Sequence, residues 1–403
     1  MERKHNTSRL HVGLFGRRNT GKSSIINRLT GQSLSIVSDI PGTTTDPVKK
    51  AVESSGLGAV ILIDTAGIDD MGELGSQRIN KTLLALKQID IAIIVFSYND
   101  FSDYEQQLID QLQQLNTPFI LLHNKSDIQS AESSLVSGLT KRYKTDFIDF
   151  SATTGDNTEK LIQLLQKNIP DNFNQRPPLF GDLVNKGELV MLVTPIDSEA
   201  PEGRMILPQV QAIREALDFN CIAVVLKETE VEDFMRRTST VPSLVITDSQ
   251  LFGKIDKLIA PEIPLTSFSI LLARQKGNFD AYLKGTPHID NLQTGDRILI
   301  MESCTHHSTC DDIGRVKIPR LLQTFTGRKL EFDIVAGLDE PPRQISDYAL
   351  VLQCGGCMIT RKQLLTRIQA AINANVPVTN YGMAIAYVNG VWKRSVELKI
   401  TRE

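Results

Sequence analysis

Two sets of residues have the types and spacing that chemistry requires. The first begins at Gly16-Arg-Arg-Asn-Thr-Gly21-Lys22-Ser23, a glycine-bounded loop ending in Lys and Ser. Backbone N–H groups of such a loop can close on phosphates, and a helix opening there adds its positive dipole end. Lys22 can reach the β- and γ-phosphates, and the Ser23 hydroxyl can ligate Mg2+. Asp64-Thr65-Ala66-Gly67 ends a short apolar run. Asp64 can bind Mg2+ through water, and the Gly67 N–H can sense the γ-phosphate. Asn124-Lys125-Ser126-Asp127 ends another run. The Asp127 carboxylate can accept both N1–H and N2–H of guanine, a pair that adenine does not offer. Ser151-Ala152 can bring a backbone N–H to guanine O6. Four motifs in this order predict a Mg2+-dependent GTP-binding and GTP-hydrolysing domain. Its expected contacts are Gly16, Thr20, Gly21, Lys22, Ser23, Ser24, Asp64, Gly67, Asn124, Lys125, Asp127, Ser151 and Ala152, with Lys22 and Gly67 in catalytic roles.

The second set lies near the C-terminus. Cys304-Thr-His306-His307 and Cys354-Gly-Gly-Cys357 can direct three thiolates and one imidazole at a single metal. Thiolates favour zinc, copper(I) or iron–sulfur clusters. Three Cys and one His suit tetrahedral zinc, and three Cys suit a cubane cluster with one iron open. Spacing does not choose between them. His307 reads as a supporting or surface group, Cys310 as a free thiol, and Cys221, in an apolar run, as packing. Five cysteines, an odd number for 403 residues, do not form a disulfide framework.

These residues need strands and helices to hold them. Buried-strand patterns fall at Leu10–Phe15, Ala59–Ile63, Ile91–Phe96, Phe119–Leu122 and Phe147–Phe150. Helical patterns fall at Ser23–Thr30, Leu74–Ile89, Tyr104–Leu115 and Thr158–Lys167. The alternation predicts an α/β domain with a parallel sheet over residues 1–170. Residues 171–180, polar with a Pro pair, read as a linker. A small α/β unit follows over 181–271, with strands at Leu189–Val193, Ile222–Leu226 and Leu244–Thr247. It has helices at Leu207–Ala216, Val231–Arg236 and Ser249–Ile259, an extended stretch at Thr266–Leu271, and no catalytic motif. Residues 272–403 form the cysteine-bearing part, with a helix near Arg274–Leu283. There, strands Arg297–Met301 and Tyr348–Leu352 run into Cys304 and Cys354, and Arg361–Asn373 is helical.

Composition sets the outer bounds. Apolar residues make up 41% and charged residues 23%, as in ordinary globular proteins, and the net charge of −3 gives no global field for nucleic acid. Met1–Arg9 lacks a following apolar segment, and no stretch is apolar enough to span a membrane. A cytoplasmic location is expected.

The first motifs resemble those of the TrmE–Era–EngA group of GTPases. Pro41-Gly42-Thr43-Thr44-Thr45-Asp46 is similar to that group's first switch, which implies Thr44 as a Mg2+ ligand and catalytic residue. Thr45 stands where the group usually has Arg. Ile68 follows Asp-Thr-Ala-Gly, so the water-orienting Gln of Ras-like enzymes is missing. The resemblance implies slow hydrolysis stimulated by K+, with Asn19 at the position that binds the ion.

Taken whole, the order of GTPase motifs, middle α/β unit, Cys-x-His and Cys-x-x-Cys resembles the HydF family of FeFe-hydrogenase maturation GTPases. That resemblance implies a dimerisation domain in the middle and a 4Fe–4S cluster on Cys304, Cys354 and Cys357. It also implies a scaffold or carrier role. A di-iron precursor made with two radical SAM maturases would be accepted and delivered to apo FeFe-hydrogenase. The family commonly has His before the Cys-x-x-Cys turn, and this chain has Gln353. The fourth iron position therefore falls to His306, to Asp197 or to solvent.

Two other readings compete. One is an RNA- or ribosome-associated TrmE/Era-type GTPase with a structural zinc site. It calls for a basic RNA-binding surface, which an acidic chain without a KH-type loop does not suggest. The other is a redox enzyme, for which no substrate constellation is present.

Overall fold

The computed structural model describes residues 10–32, 34–40, 48–54, 57–65, 82, 85–86, 88–169, 177–195, 205–303, 312–337, 339–357 and 359–398. The chain divides into two compact units, 1–175 and 176–403.

In the first unit the apolar runs pair as strands because their residues are buried on both faces. Ile91–Ser97 (β5) is buried throughout. With Leu10–Phe15 (β1), Leu34–Ile40 (β2), Val48–Ser54 (β3), Gly58–Asp64 (β4), Phe119–Asn124 (β6) and Phe147–Phe150 (β7) it forms a seven-stranded sheet, ordered β2-β3-β4-β1-β5-β6-β7. From β4 to β7 all pairings are parallel, whereas β2–β3 and β3–β4 are antiparallel. The expected parallel sheet is present, and an antiparallel pair of strands that was not expected extends it at this edge. Only residues 55–57 connect β3 to β4, and so short a link allows a hairpin but no crossover. Helices Lys22–Gln32, Asp103–Gln114, Ser133–Tyr143 and Thr158–Lys167 are described alongside the sheet. Asp103–Gln114 starts at a capping box in which Ser102 caps and Glu105 reaches back. The expected helix Leu74–Ile89 lies mostly outside the described residues.

The second unit contains two parallel four-stranded sheets. One is ordered β11-β10-β8-β9, from Leu189–Val193 (β8), Ile222–Leu226 (β9), Leu244–Thr247 (β10) and Leu265–Ser267 (β11). The other is ordered β13-β12-β14-β15, from Arg297–Met301 (β12), Glu331–Val335 (β13), Leu350–Gln353 (β14) and Val378–Asn380 (β15). A single apolar core joins them, with Met191, Val193 and Val245 of one sheet clustering with Ile298, Ile300, Leu352 and Val378 of the other.

Three expectations change here. Thr266–Leu271 is not extended. The strand stops at Ser267, whose side chain accepts the Ile270 N–H as an N-cap, and Phe268–Lys276 is helical. A short stretch of mixed polar and apolar residues fits either state, and the cap decides. The helix near Arg274–Leu283 is two helices, Phe268–Lys276 and Phe279–Gly285, the second capped by Asn278. The expected linker ends early, because Leu179 and Phe180 are buried in a second core with Leu192 and Ala216. The Glu215 carboxylate accepts the N–H groups of Leu179, Phe180 and Gly181 at 2.9, 2.7 and 2.8 Å, which fixes this entry segment. Burial pushes the Glu215 carboxyl above the usual range against those donors. Among the described residues no helix is long and apolar enough to cross a membrane.

Candidate functional site

The Gly16–Ser23 loop joins β1 to helix Lys22–Gln32, at the edge formed by the ends of the parallel strands. Gly16 has φ +152°, and a Cβ there would collide with the Val95 carbonyl of β5, so only glycine fits. Asn19 is exposed, with left-handed φ 59°. The buried Lys22 ammonium donates to the Gly16 and Arg17 carbonyls at 2.7 and 2.8 Å, which holds it inside the loop. Ser23 Oγ donates to Asp64 Oδ2 at 2.6 Å. The two predicted Mg2+-side residues, 41 positions apart, thus meet because β1 and β4 are parallel neighbours. This oxygen pair fits a hard divalent cation.

The guanine-side motifs are wired to this loop. Asn124 Nδ2 donates to the Thr20 carbonyl at 2.8 Å, and Asn124 Oδ1 accepts the Ala152 N–H at 3.1 Å. One buried amide therefore ties together three of the predicted motifs. Ser151 Oγ donates to Asp127 Oδ1 at 2.6 Å, orienting the exposed carboxylate. Lys125, at φ 67°, places its ammonium 4.6 Å from the centre of the Tyr98 ring. Ser24 is exposed in the first helical turn. Thr44 and Gly67 lie outside the described residues.

Sequence reasoning missed the residues that brace this edge. Arg17 binds Glu105 at 3.0 Å and Asp100 at 2.7 Å, and the Asp100 hydrogen bond first, with Glu105, raises its pKa further. Glu105 is fully buried, so the loop is anchored to the start of helix Asp103–Gln114. Arg28 donates to the Ala152 carbonyl at 2.9 Å and to that of Thr153. The capping pattern at Ser102–Glu105 was visible in the sequence, but its long-range partner was not.

In the second unit the cysteine turn leaves the end of β14. Met301 of β12 pairs with Gln353 of β14, so the strand leading to Cys304 and the strand leading to Cys354 end side by side. Cys354 Sγ accepts the Ser303 N–H at 3.1 Å and shares a hydrogen bond with Ser303 Oγ at 2.9 Å. Gly356, at φ +66°, packs where a Cβ would press on Leu364. Lys276 is buried, and its ammonium donates to the carbonyls of Gly356, Cys357 and Ile359 at 3.1, 3.4 and 3.2 Å. The middle segment's last helix thus fixes the cysteine turn. Gln353 is fully buried, and its Nε2 donates to the Met301 carbonyl and to Ser303 Oγ at 3.3 and 3.2 Å. Cys221, Cys354 and Cys357 form no disulfide, and Cys221 packs in the second core as expected. Cys304, His306, His307, Cys310 and Asp197 lie outside the described residues. Among the described residues no three Cys, His, Asp or Glu side chains converge as a metal-ligand set. The Cys354 thiol, beside hydrogen-bond donors at a strand end with Cys357 three residues on, nonetheless fits part of a soft-metal or cluster site.

A P-loop edge built for guanine nucleotide, followed by two sheets sharing one core, defines a GTPase with an appended α/β body that bears a cysteine turn. Comparison with known families agrees. Residues 11–125 match a 50S ribosome-binding GTPase family model, residues 179–277 the hydrogen maturase F dimerization domain, and residues 280–398 the hydrogen maturase F tetramerization domain. The chain belongs to the hydrogen maturase F family. It is similar to GTPase Der of Wolinella succinogenes, 33% identical over 180 residues covering 42% of this chain and 38% of that one. It is also similar to the tRNA modification GTPase MnmE of Prochlorococcus marinus, 34% identical over 165 residues covering 40% and 34%. These matches span under two-fifths of the relatives' length. Among solved structures, Era of Aquifex aeolicus bound to GDP and aluminium fluoride aligns with TM-score 0.34 at 18% identity, covering 54% of this chain and 92% of that one. The G domain of the T. maritima iron transporter FeoB aligns with TM-score 0.32 at 21% identity, covering 40% and 100%.

Proposed function

We propose that this chain is a slow, Mg2+-dependent GTPase switch that carries a 4Fe–4S cluster, accepts a di-iron precursor and delivers it to apo FeFe-hydrogenase. The observation that carries the reading is the union, in one hydrogen maturase F chain, of a nucleotide edge wired through Asn124 with a cysteine turn wired through Lys276. At the first site Lys22 turns its ammonium to the β- and γ-phosphates. Ser23 and Thr44 hold Mg2+, Asp64 holds it through water, and the Gly67 N–H reads the γ-phosphate. Asp127, with Asn124, Lys125, Ser151 and Ala152, selects guanine. Asn19 holds K+, whose charge offsets the transition-state charge that a missing arginine finger would meet.

Cys304, Cys354 and Cys357 hold the cluster. When bound, it offers an iron position through which a second metal unit can attach and leave. His306, Asp197 or solvent completes that iron. The di-iron unit is cargo made with two radical SAM maturases. The chain works in the cytoplasm as an oligomer without nucleic acid. The edge strand β9 supports that assembly: its Ile222 and Val225 are 54% and 41% exposed, which leaves apolar side chains along the sheet's edge for a second copy of the chain to cover.

Two measurements test the proposal. Hydrolysis should run faster in K+ than in Na+ at matched ionic strength, and equal rates would remove the K+ role. Anaerobic reconstitution with iron and sulfide should give a reducible cluster by EPR. Cys304→Ser, Cys354→Ser and Cys357→Ser should each abolish it while GTP hydrolysis persists. A colourless, zinc-loaded protein that binds RNA would instead support the RNA-associated reading.

A further inference from the structure

The surroundings of Cys354 contain more hydrogen-bond donors than the fold uses. Its sulfur already accepts the Ser303 N–H at 3.1 Å, and Gln353 Nε2 stands 3.5 Å away. Two further donors lie nearby. Tyr282 is fully buried, and its hydroxyl has no hydrogen-bond partner among the described residues. Arg367 donates through Nη1 to the Glu302 carbonyl at 2.9 Å, which places the guanidinium beside the end of β12, while its Nη2 is sealed from solvent without a partner among the described residues. The Tyr282 ring lies against Gly277, next to the Lys276 that binds the Gly356 carbonyl, and Arg367 is held at Glu302, next to the Ser303 whose N–H binds Cys354.

Leaving such groups unpaired is costly. A buried polar group without a partner loses its hydration with nothing in return, and a buried charge loses more. Burial accordingly lowers the Arg367 pKa, with Cys354 next in order acting to raise it. The fold does not repay this cost among its own groups. An anionic guest at the cysteine turn would, because thiolate and sulfide sulfur accept N–H and O–H hydrogen bonds. The Glu302 carboxylate is bound to Arg315 at 3.0 Å, and Asp339 acts on Arg367 only after Cys354 and Tyr381 in order of size. Lys276, on the carbonyls of the same turn, adds a second buried positive charge.

We infer that Tyr282 and Arg367 are positioning residues whose free donors hydrogen-bond the sulfur of the cluster bound at Cys354, raising its reduction potential and retaining its negative charge. The inference rests on the cluster reading given above. Donors and positive charge stabilise the reduced, more negative cluster over the oxidised one, so their removal makes reduction harder.

The test uses full-length protein reconstituted anaerobically with ferrous iron and sulfide, followed by EPR-monitored redox titration. If the unmodified protein takes up no cluster, the cluster reading itself fails. If it does, Tyr282→Phe and Arg367→Met should each lower the reduction equilibrium constant about tenfold, about 59 mV for a one-electron couple. Arg367→Lys should fall between. Thermal melting of the metal-free proteins separates structure from tuning. Tyr282→Phe should melt no lower than the parent, because its hydroxyl contributes no bond to the empty fold. Should Arg367→Met fold poorly, Tyr282→Phe and Arg367→Lys decide. An unchanged potential in Tyr282→Phe and in every folded Arg367 variant overturns the inference.

Discussion

At the residue scale, the proposed selectivity for guanine rests on one exposed carboxylate, Asp127, that the fold orients. Ser151 holds Asp127 by a 2.6 Å hydrogen bond, so the aspartate is aimed before any base arrives. Asp127→Asn would turn a donor amide toward the donor edge of guanine. A charged hydrogen bond contributes about 1.5–3 kcal/mol, so GTP affinity should fall roughly tenfold to a hundredfold, read by fluorescent-nucleotide titration. Unchanged affinity would place guanine recognition elsewhere. Asn124 works differently, by joining Thr20 of the phosphate loop to Ala152 of the guanine loop. Asn124→Ala should weaken GTP binding and also lower the melting temperature of the first unit. A loss of binding with no change in melting would argue against a structural tie.

Elements carry the second site's geometry. The last turn of helix Phe268–Lys276 delivers an ammonium to three carbonyls of the cysteine turn. Lys276→Met would strand those carbonyls, and at about 1–3 kcal/mol for an unsatisfied buried group the second unit should lose roughly 2–5 kcal/mol in chemical denaturation. GTP affinity should not change. Stability equal to the parent's would show that water replaces the ammonium at no cost. The helix was misread in the sequence because Thr266–Leu271, three hydroxyl residues among Phe, Ile and Leu, is too short for its period to separate strand from helix. Only the Ser267 cap, a single side-chain hydrogen bond to Ile270, marks where strand becomes helix. The antiparallel edge β2–β3 was missed for a related reason. Its segments mix polar and apolar residues and lack the continuous apolar run that announces a buried strand.

For the whole molecule, the two sheets of the second unit share one core, so the middle segment and the cysteine-bearing segment are mechanically one body. An oligomer built on the β9 edge would therefore fix the position of the cysteine turns of its subunits. Ile222→Lys, with Val225→Lys as a second variant, should shift light-scattering mass toward the monomer while leaving GTP hydrolysis and cluster content intact. An unaltered mass would move the interface away from β9.

Much was determined by the sequence alone. Glycine and lysine at set spacing, and Asp-Thr-Ala-Gly, Asn-Lys-x-Asp and Ser-Ala after apolar runs, are local patterns whose chemistry follows from residue type. They defined the GTPase domain, most of its strands and the cysteine pair before any coordinates. The tertiary structure decided what lies far apart in the chain. Arg17 meeting Glu105 across 88 positions, Lys276 meeting Gly356 across 80 and Arg367 meeting Glu302 across 65 are contacts no local pattern encodes. A buried charge finds its partner only when packing brings remote elements together, and its solvation then leaves no other choice.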